Sequence, residues 1–203
     1  MTEKDKLTEE KIFDSATEIF IKKGFEGARM QDIAEHAGIN KSLLHYYYRT
    51  KERLFNAVFE NITDRILKKL IPVFDENLSL EEKIRLFFRE HIDFLYNNQQ
   101  LPVFIFNEIN RKPAKIKKLL KSTNIMKIWT VLETQHSEEL IRYNITPESL
   151  PQLMTSIAAM SIFPFVAKNI ITTLFEKQGC DFDDFIEKRK EYAAEFVIRA
   201  IKN

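Results

Sequence analysis

From Lys41 to Arg53 the chain gathers Lys41, Arg49, Lys51 and Arg53 against a single acid, Glu52, and interleaves them with Tyr46, Tyr47 and Tyr48. Ammonium, guanidinium and phenol groups donate to phosphate oxygens, and side chains on the exposed face of a short helix reach base edges. The chemistry such a cluster supports is nucleic-acid binding. Its plain alternative is a solvated turn with stacked tyrosines. The net charge of the whole chain is only +1, so nucleic-acid binding has to rest on a local basic surface. A second basic run, Arg111, Lys112, Lys115, Lys117, Lys118, Lys121 and Lys127, contains no acid. Its positive field would assist DNA association, although a solvated helix face is the simpler reading.

Other chemistries find less support. Glu133-Thr-Gln-His136 is a Glu-x-x-His element of the kind that di-iron helical bundles use, but such a site wants two of them. None of His36, His45 and His91 has a glutamate three residues before it. A helical-bundle enzyme or metal carrier using Glu133 and His136 is therefore the alternative reading. There is no glycine-rich phosphate loop, and the lone Cys180 has no catalytic signature around it. The expectation is no catalytic site, no resident metal and no cofactor. One cysteine also precludes an intrachain disulfide, which fits a reducing cytoplasm, and the polar N-terminus carries no apolar signal region.

The elements that would position the basic cluster are short. Met30, Ile33, Ala34 and Ala37 fall on one face of a helix. Gly38 supplies the positive φ that ends it, Ile39 returns to the core, and Asn40 can cap the next helix with its side-chain oxygen. A short helix, a glycine turn and a second short helix form a helix-turn-helix, whose second helix enters the DNA major groove.

The segment from Asn40 to Leu54 resembles the recognition-helix signature of the TetR family, the tetracycline-repressor-like regulators: G-[VI]-S-x-x-x-L-Y-x-[HY]-F-x-[ST]-K-[ED]-x-L. Gly38, Ile39, Leu44, Tyr47, Thr50, Lys51, Glu52 and Leu54 match it or nearly so. Ile12, Ala16, Phe20, Gly24 and Phe25 match the family's first helix and its end. His45, Tyr48 and the pair Ala28-Arg29 depart from the usual residues. The resemblance covers about the first quarter of the chain. It implies that His45, Tyr46 and Lys51 contact the DNA backbone and that Asn40, Lys41, Ser42 and Leu43 lie at the reading end of the helix. Arg29 and Gln31 are expected to touch phosphate or an adjacent base, whereas Tyr47 and Tyr48 pack the helix against its neighbours.

Few glycines and prolines and long helical periodicities make the whole chain read as all-α, with about nine helices. The first is expected from Thr8, as cap, to Lys23, and the fourth from Lys51 to about Ile71, where Pro72 ends it. Ser79-Leu-Glu-Glu82 offers a capping box for the fifth. Pro102 and Pro113 bracket a sixth, and a seventh runs from about Ala114 to Arg142. An eighth extends from Pro147 or Pro151 to about Glu176, and Asp181 caps a ninth. The division expected is a helix-turn-helix head over 1–50 and a helical ligand-binding and dimerisation domain over 51–203.

The family resemblance implies an effector pocket between the central helices, for which Phe87, His91, Phe104, Asn107, Met126 and Trp129 are the candidate lining, against a plain core role for each. The effector expected is a small apolar or amphipathic molecule. The charge-free run from Ser149 to Ala167 is long enough to raise a membrane span, but its prolines and polar residues suit a core or dimer helix better. The eighth and ninth helices are expected to form a homodimer that binds a palindromic operator as a repressor. A DNA-binding regulator without a small-molecule effector remains open.

Overall fold

The computed structural model describes residues 3–75, 77–112, 125–179 and 181–202, the side chains of 3–4, 70–72, 74–75 and 125–127 excepted. Among these residues the fold is all-α, with no strand. The helices are α1 (Glu3–Gly27), α2 (Met30–His36), α3 (Lys41–Tyr47), α4 (Lys51–Asp75), α5 (Leu80–Tyr96) and α6 (Leu101–Arg111). They continue as α7 (Ile125–Gln135), α8 (Ser137–Arg142), α9 (Leu150–Val166), α10 (Lys168–Leu174) and α11 (Phe182–Lys202), with a 3-10 turn at Glu176–Gln178.

Three of the four caps read from sequence are present. Asn40 accepts a hydrogen bond from the Leu43 amide at 2.8 Å, Ser79 and Glu82 form a reciprocal capping box, and Asp181 accepts from the Asp184 amide at 2.9 Å. Four boundaries differ from expectation. Thr8 lies inside α1, which begins at Glu3. α4 runs through Pro72 to Asp75; a proline so near a helix end removes a single ladder donor. The long helices expected toward the C-terminus are divided at His136 and at Ala167, where α9 and α10 meet at a bend of 74°. No single described helix is long and apolar enough to cross a membrane.

The chain forms two compact units, comprising the described residues of Met1–Arg65 with Phe104–Leu119, and of Ile66–Val103 with Leu120–Asn203. In the first, Ile12, Ala16, Phe20, Ile33, Ala34, Leu44, Leu54, Phe55 and Val58 are fully enclosed. Gly24 breaks the α1 geometry at φ 67°, and beyond it Phe25 meets Phe55 edge-on at 5.0 Å. In the second unit α5, α9 and α11 pack on one another. Pro164 inside α9 cannot donate to the Met160 carbonyl one turn back; Arg189 Nε from α11 donates to that oxygen at 3.3 Å.

The same core holds a titratable group. His91 of α5 is 6 % exposed, and its Nδ1 lies 3.0 Å from Ser161 Oγ of α9. Burial pushes its pKa down to about 4 from 6.5. The unfolded chain therefore takes up this proton first as pH falls, so the contribution is full above 6.5 and is lost on the way down to 4. Its size is about 3 kcal/mol. The expected outcome is that the stability gap between wild type and His91→Gln narrows by about that amount between pH 7 and pH 4. Denaturant titrations across that range would measure it, and a pH-independent gap would refute it.

Candidate nucleic-acid interface

The turn between α2 and α3 is built by the backbone. Gly38 at φ 67° donates to the Glu35 carbonyl at 3.1 Å, and Ile39 donates to the Ala34 carbonyl at 3.0 Å. This is the paired closure of a Schellman turn, which needs a left-handed residue. It delivers Asn40 to the cap of α3, where Leu44 is the one fully buried side chain. Asn40, Lys41, Ser42, Leu43, His45 and Tyr46 are all exposed, Tyr46 to 79 %. Tyr47 and Tyr48 instead turn to α1. Their hydroxyls lie 3.3 Å from Asp5 Oδ1 and 3.4 Å from Glu9 Oε1, and burial, with those carboxylates second, raises both phenol pKa values. This fits the packing role expected of them.

The other expected DNA contacts surround this face. Arg29 occupies the N-cap of α2, is exposed and makes no side-chain cap. Gln31, also exposed, donates to Glu35 at 2.8 Å. Lys23 and Asp32 pair at 2.6 Å and tie α1 to α2; the Lys23 hydrogen bond holds the Asp32 carboxyl below its usual range. His45 Nδ1 is 3.2 Å from the Arg49 carbonyl. The Lys51 ammonium donates to the Ala28 carbonyl at 2.9 Å and lies 4.4 Å from the Phe25 ring centre. Lys51 thus holds the link between α1 and α2 as well as the start of α4.

Sequence reasoning missed a cluster behind this face. Buried Glu108 accepts two hydrogen bonds from the Arg111 guanidinium, at 2.7 and 2.8 Å. That guanidinium stacks 4.0 Å from the Phe25 ring centre and reaches Glu26 at 3.5 Å, and Lys112 approaches Glu52 at 3.9 Å. The Glu-x-x-Arg spacing on one helix face was the available signal; its partner Phe25 was not. Of the long basic run, Arg111 and Lys112 therefore have acidic partners. Lys115, Lys117, Lys118 and Lys121, and the side chain of Lys127, lie outside the described residues.

The candidate effector residues divide. Phe104 packs against Phe55 and Phe59 at 5.7 and 6.1 Å in the first unit, where exposed Asn107 also lies. Phe87, His91 and Trp129 belong to the second unit, with Phe87 5.0 Å from His91 between ring centres. The Met126 side chain lies outside the described residues. Glu133 and His136 do not pair. Exposed Glu133 accepts from the Trp129 indole at 2.7 Å, while buried His136 meets Glu139 at 2.6 Å. Glu139 also accepts from the Leu80 amide at the start of α5.

A helix-turn-helix with an outward α3 is what the comparisons recognise. Residues 12–58 match the family described as "Bacterial regulatory proteins, tetR family". The head of the chain thus carries the DNA-binding segment of that family. Among curated relatives, the biofilm operon icaADBC HTH-type negative transcriptional regulator IcaR of Staphylococcus epidermidis is 25% identical over 134 residues, 66% of this chain and 68% of that one. The HTH-type transcriptional regulator RutR of Escherichia coli is 39% identical over 79 residues, 37% of each chain. A solved structure of FadR from Bacillus subtilis in complex with stearoyl-CoA superposes with a TM-score of 0.61 at 17% identity, covering 91% of this chain and 96% of that one. At that identity the likeness shows the fold. The family and these relatives are DNA-binding transcriptional regulators, not enzymes.

The Glu108–Arg111–Phe25 cluster generates a prediction for the head unit. Arg111→Ala removes a charge-assisted bidentate pair and a cation–π contact, and is expected to cost about 2–4 kcal/mol. Arg111→Lys recovers less than half, because an ammonium cannot reproduce the fork. Denaturant midpoints of the three proteins check this; equal stability of the lysine variant and wild type would refute the bidentate role.

Proposed function

We propose that the chain is a homodimeric repressor that binds a palindromic operator and leaves it when a small apolar or amphipathic ligand occupies the helical region C-terminal to the head. The observation that carries the DNA reading is α3 itself: Leu44 is enclosed while the side chains around it face outward. In this reading residues 1–50 bind DNA. Asn40, Lys41, Ser42 and Leu43 read bases. Arg29, Gln31, His45, Tyr46 and Lys51 position the helix on phosphates, which gives affinity without sequence choice. The repressor named IcaR supports repression by likeness, and FadR, whose structure holds stearoyl-CoA, supports a ligand with a long apolar part. A cytoplasmic location follows from action on DNA.

Support for the dimer comes from apolar groups left in solvent. Phe163 and Val166 of α9, Ile170 and Leu174 of α10, and Tyr192 and Phe196 of α11 are all exposed, the last two to 62 % and 56 %. Tyr192 and Phe196 stack on each other at 6.4 Å. Exposed large apolar side chains are what a partner surface covers, and a twofold interface uses the same face on both copies. Two recognition helices about one DNA turn apart, roughly 34–36 Å, then make the operator a palindrome.

Two outcomes test the reading. Phe196→Asp buries an unpaired charge at the interface, so light scattering is expected to give monomers with helical circular dichroism and much weaker operator binding. A full-affinity dimer would overturn the placement. Selection from random DNA is expected to return a palindrome, with Lys41 or Leu43 variants changing preference at particular positions by about 1–3 kcal/mol per base pair. Lys51→Ala should instead weaken all sites alike and lower the log–log salt slope by about one. An identical consensus for the Lys41 and Leu43 variants, or an unchanged slope for Lys51→Ala, would remove those residues from their roles.

A further inference from the structure

Two buried histidines in the second unit make an instructive contrast. Among the described residues, the sealed side-chain atoms that lack a hydrogen-bond partner are Asn56 Oδ1 and His136 Nε2. His91 Nε2 is not one of them. Yet the hydrogen bond His91 makes uses its other nitrogen, Nδ1, to Ser161 Oγ at 3.0 Å. Its Nε2 has no hydrogen-bond partner among the described residues. An unpaired polar atom on a residue only 6 % exposed is one that a bound molecule can satisfy.

The hydrogen bonds around Ser161 decide what that molecule must offer. The Ser161 hydroxyl lies 2.9 Å from the Ala158 carbonyl, and a carbonyl can only accept. One hydroxyl has one proton. If it is given to Ala158, the Ser161 oxygen is free to accept from His91, so both contacts are hydrogen bonds at once. His91 is then protonated on Nδ1 and carries a bare lone pair on Nε2. The opposite tautomer would leave one of the two contacts without a proton.

We propose that the ligand of this regulator bears a hydrogen-bond donor, an O–H or N–H on an apolar frame, that is received by His91 Nε2, with Ser161 as the positioning residue that fixes the tautomer. The apolar surroundings include the Phe87 ring, 5.0 Å from His91. Burial keeps the imidazole neutral at pH 7, so it offers a carboxylate no charge and no proton. The site prefers an alcohol, phenol or amide N–H over an acid. This rests on the ligand-responsive reading above and specifies its chemistry.

The test uses the full chain and p-cresol, with p-xylene as its shape-matched partner lacking the donor and p-toluate as the anion. In protein labelled with ¹⁵N-histidine, the ligand-free His91 imidazole is expected to show a protonated Nδ1 and a bare Nε2 resonance. Saturating p-cresol moves that Nε2 resonance; p-xylene and p-toluate do not. By calorimetry, the preference for p-cresol over p-xylene falls about tenfold in His91→Leu, and the imidazole spectra of wild type stand on their own if that variant does not fold. A ligand-free His91 protonated on Nε2, or an Nε2 resonance that p-cresol leaves in place, would overturn the proposal. Operator binding measured on the same protein separates the two levels. If DNA is bound but Nε2 is untouched, the ligand chemistry fails alone; if no duplex is selected, the repressor reading fails. Contact at Nε2 without operator release leaves the site standing and removes release as its consequence.

Discussion

The recognition helix is held in place by its ends. α3 encloses one side chain, Leu44, and a helix of that length has little stability of its own. Its other side chains can face outward only because other groups fix its direction. At the start these are the Gly38 turn, the return of Ile39 and the Asn40 cap. At the far end Tyr47 and Tyr48 reach the first turns of α1. The left-handed backbone at Gly38 is the constraint that the rest of the head depends on. A residue with a side chain would strain there, although Gly38 has open space around it, so the requirement is conformational and not steric crowding.

A second layer of constraint lies behind that helix. Lys51 spends part of its ammonium on the Ala28 carbonyl, and Arg111 spends its guanidinium on Glu108 and the face of Phe25. Charged groups near an expected DNA surface thus divide into those with protein partners and those without. Lys41, exposed on the first turn of α3, is in the second group. A phosphate competes with existing partners at the first kind of group and meets water at the second.

Much of this was legible in the sequence because it is local. Caps at Asn40, Ser79 and Asp181, the turn at Gly38 and the inward Leu44 depend on residues within a few positions of one another. The breaks at His136 and Ala167 were not legible: α7 to α8 and α9 to α10 continue an apolar pattern across them. The apolar residues along α11 divide in space. Phe182, Ile186, Ala193, Val197 and Ile201 are enclosed, while Tyr192 and Phe196 form an exposed edge. Apolar periodicity alone does not say which of two partners an apolar residue awaits. The candidate effector residues fall into different units for a related reason. Phe104 and Phe87 look alike in sequence, and only tertiary packing assigns the first to Phe55 and Phe59.

Two helices carry residues of both units, α4 with its change between Arg65 and Ile66, and α6 with its change between Val103 and Phe104. These are two of the three places where the chain passes from one unit to the other, the third lying between 119 and 120, and a ligand shifts a protein's arrangements only by as much as it binds one better than another. α4 contains a local soft point near its change. Thr63 is buried and directs its hydroxyl to the carbonyls of Phe59 and Glu60, at 3.0 and 2.9 Å. Such back-bonding competes with the helix ladder and favours bending. On α6 the change sits just ahead of Phe104, whose packing on Phe55 and Phe59 and whose neighbours Glu108 and Arg111 commit the rest of that helix to the head. The first turn of α6 beyond the change is thus committed to the head by side-chain packing, while the turn of α4 around Thr63 carries a hydrogen bond that competes with its ladder.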